Sequence, residues 1–79
     1  MVKIRPDRYI GANIQKARRN KGITQDETIA RLQLLGIDIS RSTYAKIETD
    51  RMNIRVSELI ALSLIFEVDF NFFFEGLTL

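Results

Sequence analysis

Two stop-and-start signals, Gly22 followed by Thr24 and Gly36 followed by Ser40, constrain this chain more than any other feature. A glycine reaches the left-handed backbone conformation that closes a helix. A hydroxyl shortly after it accepts a hydrogen bond from the free N–H groups that begin the next one. Thr24-Gln25-Asp26-Glu27 is the full capping box: a hydroxyl at the cap, and three residues on a carboxylate that reaches back. The fold must therefore be built from short helices with brief connectors.

The apolar periodicity fits that demand. A first helix is expected from about Pro6 to Asn20, since proline is tolerated in a first turn and Asp7 suits the positive helix end. Ile10, Ile14 and Ala17 form its inward stripe, with Arg18 beside it and Lys16, Arg19 and Lys21 leaning outward. The second helix, 25–35, turns Ile29, Leu32 and Leu35 inward. Ile37 and Ile39 of the connector are expected to tuck into the core. The third, 41–49, buries Tyr44 and Ile47, which share a face. A polar loop leads to a fourth helix from Val56 to Phe66 that is apolar on most sides, so it is either central or shared with a partner. A last turn, Phe70 to Glu75, ends at Gly76. No alternating strand pattern and no internal repeat interrupts this order, so the fold class is all-α with five helices.

With 79 residues, the chain has room for one small core: a single domain over 6–79, preceded by a basic arm, 1–5, that carries Lys3 and Arg5. Cysteine and histidine are both absent. That excludes disulfides and removes the usual ligands of zinc, copper and iron. It also removes the commonest acid–base and nucleophilic groups. Ser42 and Lys46 are helical neighbours, but nothing nearby would desolvate that lysine. Enzyme activity, a metal, a cofactor and a small-molecule ligand are therefore not expected. No apolar run approaches the length of a membrane helix, and Met1 to Asp7 lacks the apolar stretch of a secretory leader. A cytoplasmic protein is expected.

Charge is unevenly placed. Residues 1–55 hold all 12 Lys and Arg against 6 acids, and residues 56–79 hold 4 acids and no base. A basic front of this kind suits a nucleic acid. The face of the third helix opposite Tyr44 and Ile47 presents Arg41, Ser42, Ala45 and Lys46. Cations, a hydroxyl and a methyl group are the means by which base edges are read in a DNA major groove. A solvated helix face has a similar composition, so the order of the segments decides. A capped helix, a connector and a second capped helix with a polar front form the helix-turn-helix arrangement, whose second helix enters the groove.

The ordered set resembles the Cro/repressor-like, XRE-type helix-turn-helix family. The matching residues are Ile10-Gly11 through Arg18, Gly22-Ile23-Thr24-Gln25, Ser40-Arg41-Ser42-Thr43, Lys46-Ile47-Glu48, and Phe66 with Val68-Asp69-Phe70. The resemblance implies a five-helix, lambda-repressor-like domain that binds double-stranded DNA and acts as a transcriptional repressor. It implies that Gln25 bonds a phosphate, consistent with the anion-binding character of a helix N-terminus. It further implies that Arg41, Ser42 and Lys46 meet bases, with Ala45 close enough for methyl contact. Ser40 and Thr43 would assist at the backbone, and Arg51 would lie in a loop against phosphates. Arg18 and Glu48 match positions that commonly form a structural ion pair between helices one and three.

Four departures stand out. The connector before helix three is about five residues longer than in the shortest family members, as in a longer-armed branch of the family. Helix two has Thr28-Ile29 where leucine and alanine are usual. Arg55 falls on the polar cap of helix four, leaving Ser57 or Asn53 to cap it. Glu67 stands where a glycine is common.

Phe70, Phe72, Phe73 and Phe74 cannot all face inward on one short helix. By helical spacing Phe70, Phe73 and Phe74 share a face and Phe72 is left over. An exposed remainder would mark an association surface, and a homodimer through helices four and five is expected. The alternative is an antitoxin-like or adaptor module that uses the same aromatic surface.

Overall fold

The computed structural model describes residues 9–77 of the chain. Five helices follow in order: α1 (Gly11–Lys21), α2 (Gln25–Leu34), α3 (Arg41–Glu48), α4 (Val56–Phe66) and α5 (Phe70–Phe73). No strand occurs among the described residues, and none of their helices is long and apolar enough to cross a membrane. The domain is all-α, as its helix signals require.

Local capping sets most boundaries. Gly22 closes α1 at φ 79°. Thr24 Oγ1 accepts from Glu27 N at 3.1 Å while Glu27 Oε1 accepts from Thr24 N at 3.1 Å, completing the box on α2. Ser40 Oγ accepts from Thr43 N at 3.1 Å at the start of α3, and Asp69 Oδ1 accepts from Phe72 N at 3.2 Å on α5.

The start of α1 corrects the sequence expectation. Tyr9 and Ile10 are not helical, and the helix begins at Gly11. Ile10 supplies no side-chain cap; instead Gly11 N donates to Asp50 Oδ1 at 2.9 Å. The α3–α4 loop thus caps α1 from 39 residues away. Pro6, Asp7 and the basic arm lie outside the described residues.

The core collects one side of every helix. Ile14 and Ala17 of α1, Leu32 of α2, Tyr44 and Ile47 of α3, Leu62 and Phe66 of α4, and Phe73 of α5 are all buried, with Ile23 and Ile39 filling in from the connectors. Ile10, Ile29 and Ile37 are partly buried and pack against this cluster.

Other expectations fail for identifiable reasons. Leu35 is half exposed. It is the C-cap residue after α2 has ended, so helical spacing no longer sets its direction. Thr28 is fully buried in its stead, with Oγ1 donating to Thr24 O at 2.9 Å so that the hydroxyl is satisfied within its own helix. Neither Ser57 nor Asn53 caps α4. Arg55 is the N-cap residue, without a capping side chain, and Glu58 Oε1 accepts from Arg55 N at 2.7 Å. Glu67 adopts the left-handed conformation at φ 57°, which is why a glycine would suit that position.

Among the aromatics, Phe73 is fully buried. Phe72 is partly buried and meets Phe73 edge to face at 6.5 Å between ring centroids. Phe70 and Phe74 are each almost half exposed. The expected common face of Phe70, Phe73 and Phe74 is therefore not what packs. α5 is four residues long and enters the core through its last residue, Phe73, rather than with one stripe.

Candidate nucleic-acid interface

The surface that carries the candidate residues is built where α2 and α3 begin. Tyr44, Ile47 and Glu48 anchor the inner side of α3. Arg41, Ser42 and Lys46 stand exposed on the other side, and Thr43 and Ala45 are partly buried between the two. Ser40 and Thr43 lie together at the helix start, the Ser40 hydroxyl donating to Thr43 Oγ1 at 3.0 Å. The Ser40 hydroxyl is thus committed to capping in the free chain, whereas that of Thr43 accepts from it and keeps its own hydrogen to donate.

Beneath this face lies an ion pair. Arg18 Nε donates to Glu48 Oε2 at 2.7 Å and Arg18 Nη2 to Glu48 Oε1 at 3.2 Å, the two-pronged arrangement that fixes a guanidinium against a carboxylate. The third nitrogen, Nη1, donates to Ile23 O at 3.0 Å. The Glu48 side chain is completely buried and that of Arg18 nearly so. Burial pulls the Glu48 carboxyl upward, but hydrogen bonds led by Arg18 outweigh it and hold the group below the usual carboxylate range. The hydrogen bond to Glu48 raises Arg18 above its ordinary value, against the desolvation that lowers it. Both groups are charged at neutral pH, so α1 and α3 are joined by a desolvated salt bridge.

Tyr44 sits beside this pair, and its buried hydroxyl has no hydrogen-bond partner among the described residues. Burial pushes the phenol far above its ordinary value, with the Glu48 carboxylate adding to the shift.

Gln25 extends the network outward. Its Nε2 donates to Glu48 Oε1 at 3.0 Å, and its Oε1 accepts from Arg41 Nε at 3.3 Å. Arg41 Nη1 in turn donates to both carboxylate oxygens of Asp26, at 3.1 and 3.2 Å. A continuous run of bonds therefore links α1, through the end of α3 and the start of α2, to the first residue of α3. Arg51 Nε donates to Thr49 Oγ1 at 3.1 Å in the loop after α3. Ser42 and Lys46 make no side-chain hydrogen bond among the described residues.

Not every cation of the basic front belongs to this surface. Lys21 pairs with Glu67 after α4, and Lys16 lies over the Phe72 ring at 5.9 Å from its centroid. These two stitch α1 to the acidic end of the chain.

Three side chains that sequence reasoning did not single out act here: Asp26 on Arg41, Asp50 on the start of α1, and Asn13. Asn13 Nδ2 donates to Phe73 O at 2.8 Å and Glu75 O at 2.9 Å, tying α5 to α1. Asp26 was visible only as a member of a capping box, and no local pattern connects these residues to partners 15, 39 and 60 positions distant.

The arrangement is a pair of helices with a polar, cation-bearing front on the second and a rigid brace behind it. Searches among curated proteins and among solved structures found no match. A family model described as Helix-turn-helix (HTH_3) matches residues 14–73, nearly all of the region whose geometry has been described. On that match the chain belongs to the XRE-type helix-turn-helix family of DNA-binding regulators.

Proposed function

We propose that this protein is a sequence-specific transcriptional repressor in the cytoplasm that reads the major groove of double-stranded DNA with α3. The observation that carries the reading is the two-sidedness of α3. Tyr44, Ile47 and Glu48 are buried, while Arg41, Ser42 and Lys46 are exposed on the opposite side. In this reading Arg41, Ser42 and Lys46 meet base edges, and Ala45 lies close enough for contact with a thymine methyl. Ser40, Thr43 and Arg51 line the phosphates. Gln25 keeps one amide hydrogen beyond its bond to Glu48 with which to approach a phosphate.

The protein acts as a homodimer, because a helix-turn-helix unit of this size gains affinity by reading two half-sites about 34 Å apart. The apolar stripe Val56, Ile60 and Leu64 on α4 supports that reading, being 74, 45 and 65% exposed at consecutive turns of one face. Phe70 and Phe74 extend the exposed apolar surface; Phe72 and Phe73 are occupied in the core.

The same surface supports a second reading, an antitoxin-like or adaptor module that binds a protein through α4. The readings separate in a mobility-shift titration against duplexes of random sequence at two salt concentrations. A DNA regulator binds at low salt and loses affinity steeply as salt rises, because its cations displace counterions from phosphates. Absence of binding at low salt overturns the regulator reading.

A further inference from the structure

We propose that Asp26, together with Gln25, is a positioning residue for base recognition: the two side chains hold the Arg41 guanidinium in one orientation so that its remaining donors meet a guanine edge, and so set specificity at that base pair. The inference rests on the reading of α3 as the major-groove helix. It assigns a role to an acid on the surface that faces DNA, where an acid would ordinarily be a hindrance.

The geometry leads from the core outward. Arg41 is held at two of its three nitrogens, Nε by Gln25 Oε1 at 3.3 Å and Nη1 by Asp26 at 3.1 and 3.2 Å. Gln25 is not free to swing, because its amide nitrogen is bonded to Glu48 at 3.0 Å. Glu48 is in turn locked by Arg18 inside the domain. The orientation of an exposed arginine is thus inherited from a buried ion pair. No acceptor among the described residues engages Nη2. A guanidinium carries five N–H groups, so with Nε and Nη1 engaged, both hydrogens of Nη2 are left for the O6 and N7 acceptors of a guanine.

In the free protein the Arg41–Asp26 pair is a surface salt bridge, with side chains 63 and 71% exposed, and contributes little to stability. At a duplex its circumstances change. Water is excluded, the local dielectric falls, and the same contact strengthens. An arginine that arrives already oriented also loses less rotamer freedom on binding. Asp26 repels phosphates whatever their sequence, so the cradle lowers affinity for DNA in general while sharpening the choice of one base.

The test compares the parent protein with Asp26→Ala, Arg41→Ala and the double variant. The probes are the duplex that the parent selects from a randomised pool and its single-base variants, all at one salt concentration. Both residues are exposed, and thermal unfolding checks that each variant remains folded. Arg41→Ala should relax preference at one base pair. Asp26→Ala should relax preference at that same pair by about tenfold, with affinity for random duplex unchanged or higher. In the Arg41→Ala background, Asp26→Ala should bring no further loss of preference, because there is no arginine left to position. If Asp26→Ala instead shifts the affinity for every duplex by one common factor, the proposal is overturned while the reading of α3 stands. If Arg41→Ala leaves every preference intact, the reading of α3 falls and the proposal with it.

Discussion

Arg18 Nε lies 2.7 Å from Glu48 Oε2, and the same guanidinium reaches the other carboxylate oxygen at 3.2 Å, so that the last turn of α1 grips the last residue of α3 from inside the domain. Removing either partner leaves a charge buried and unpaired, which costs about 3–5 kcal/mol. That is a large share of the stability of a domain this small. Arg18→Leu and Glu48→Gln should each lower the unfolding free energy by about that amount, measured by urea denaturation at pH 7. The pH dependence has a defined sign. Glu48 is held below its unfolded value in the native state, so its contribution is complete above the unfolded carboxylate pKa of about 4.3. It is lost as pH falls from there through the lower folded value. The parent should lose stability in that acid window, whereas Glu48→Gln should be flatter across it. Parallel curves for the two proteins would mean that the pair does not govern acid sensitivity.

The neighbouring Tyr44 is an exception to the rule that buried polar groups find partners. Its ring is fully buried and its hydroxyl makes no hydrogen bond among the described residues. A buried, unsatisfied hydroxyl costs about 1–3 kcal/mol, while deleting one oxygen leaves only a small void. Tyr44→Phe should therefore be neutral or raise stability by up to about 1 kcal/mol, seen as a higher midpoint in calorimetric unfolding. A loss above 1 kcal/mol would show that the hydroxyl donates to Glu48 in solution and belongs to the network.

These two residues illustrate what could be read from the sequence. Tyr44 announces its burial by its spacing from Ile47, and two helices announce their starts at Thr24 and Ser40 through hydroxyl caps, because both signals span one turn. The pairing of Arg18 with Glu48 was reached only through resemblance to a family; no local rule joins residues 30 positions apart. Asp26 and Asp50 were missed for the same reason, since their partners come near only once the helices have packed. Leu35 and Phe72 were misplaced where helical spacing was extended past the end of a helix or applied to a helix of barely one turn. The candidate interface was thus legible as a set of residues, while the hydrogen bonds that orient Arg41 required the tertiary structure.

Gly11 sits at one such unforeseen contact. A β-carbon placed there would meet Asp50 Oδ1 at 2.5 Å and the backbone oxygens of Glu48 and Ile47 at 2.6 and 2.7 Å. Asp50 itself could rotate away, but two of the three atoms are backbone at the end of α3. Gly11→Ala must therefore push α1 off α3 or bend the loop. The expected cost is about 1–3 kcal/mol for overpacking, plus about 1 kcal/mol for the weakened bond from Gly11 N to Asp50. Asp50→Gly isolates the second of these losses, because it deletes the carboxylate, adds no crowding and suits the left-handed φ of 61° at that position. Gly11→Ala should thus be clearly the more destabilising of the two in thermal unfolding, and equal losses would deny the steric role of the close approach.

The stripe on α4 yields a prediction about assembly. Val56, Ile60 and Leu64 are each a turn apart and remain exposed, so a polar residue among them disturbs no core contact. In a two-fold interface each is buried twice, once per protomer. Covering one such aliphatic side chain is worth about 1.5–3 kcal/mol. Leu64→Lys should leave the melting temperature of the isolated protomer within a few degrees of the parent and weaken dimerisation by at least tenfold in sedimentation equilibrium. Binding to a duplex with two half-sites should weaken with it, while binding to a single half-site should rise slightly through the added charge. A Leu64→Lys protein that sediments as the parent does at every concentration would remove α4 from the proposed interface and leave the exposed Phe70 and Phe74 as its candidates.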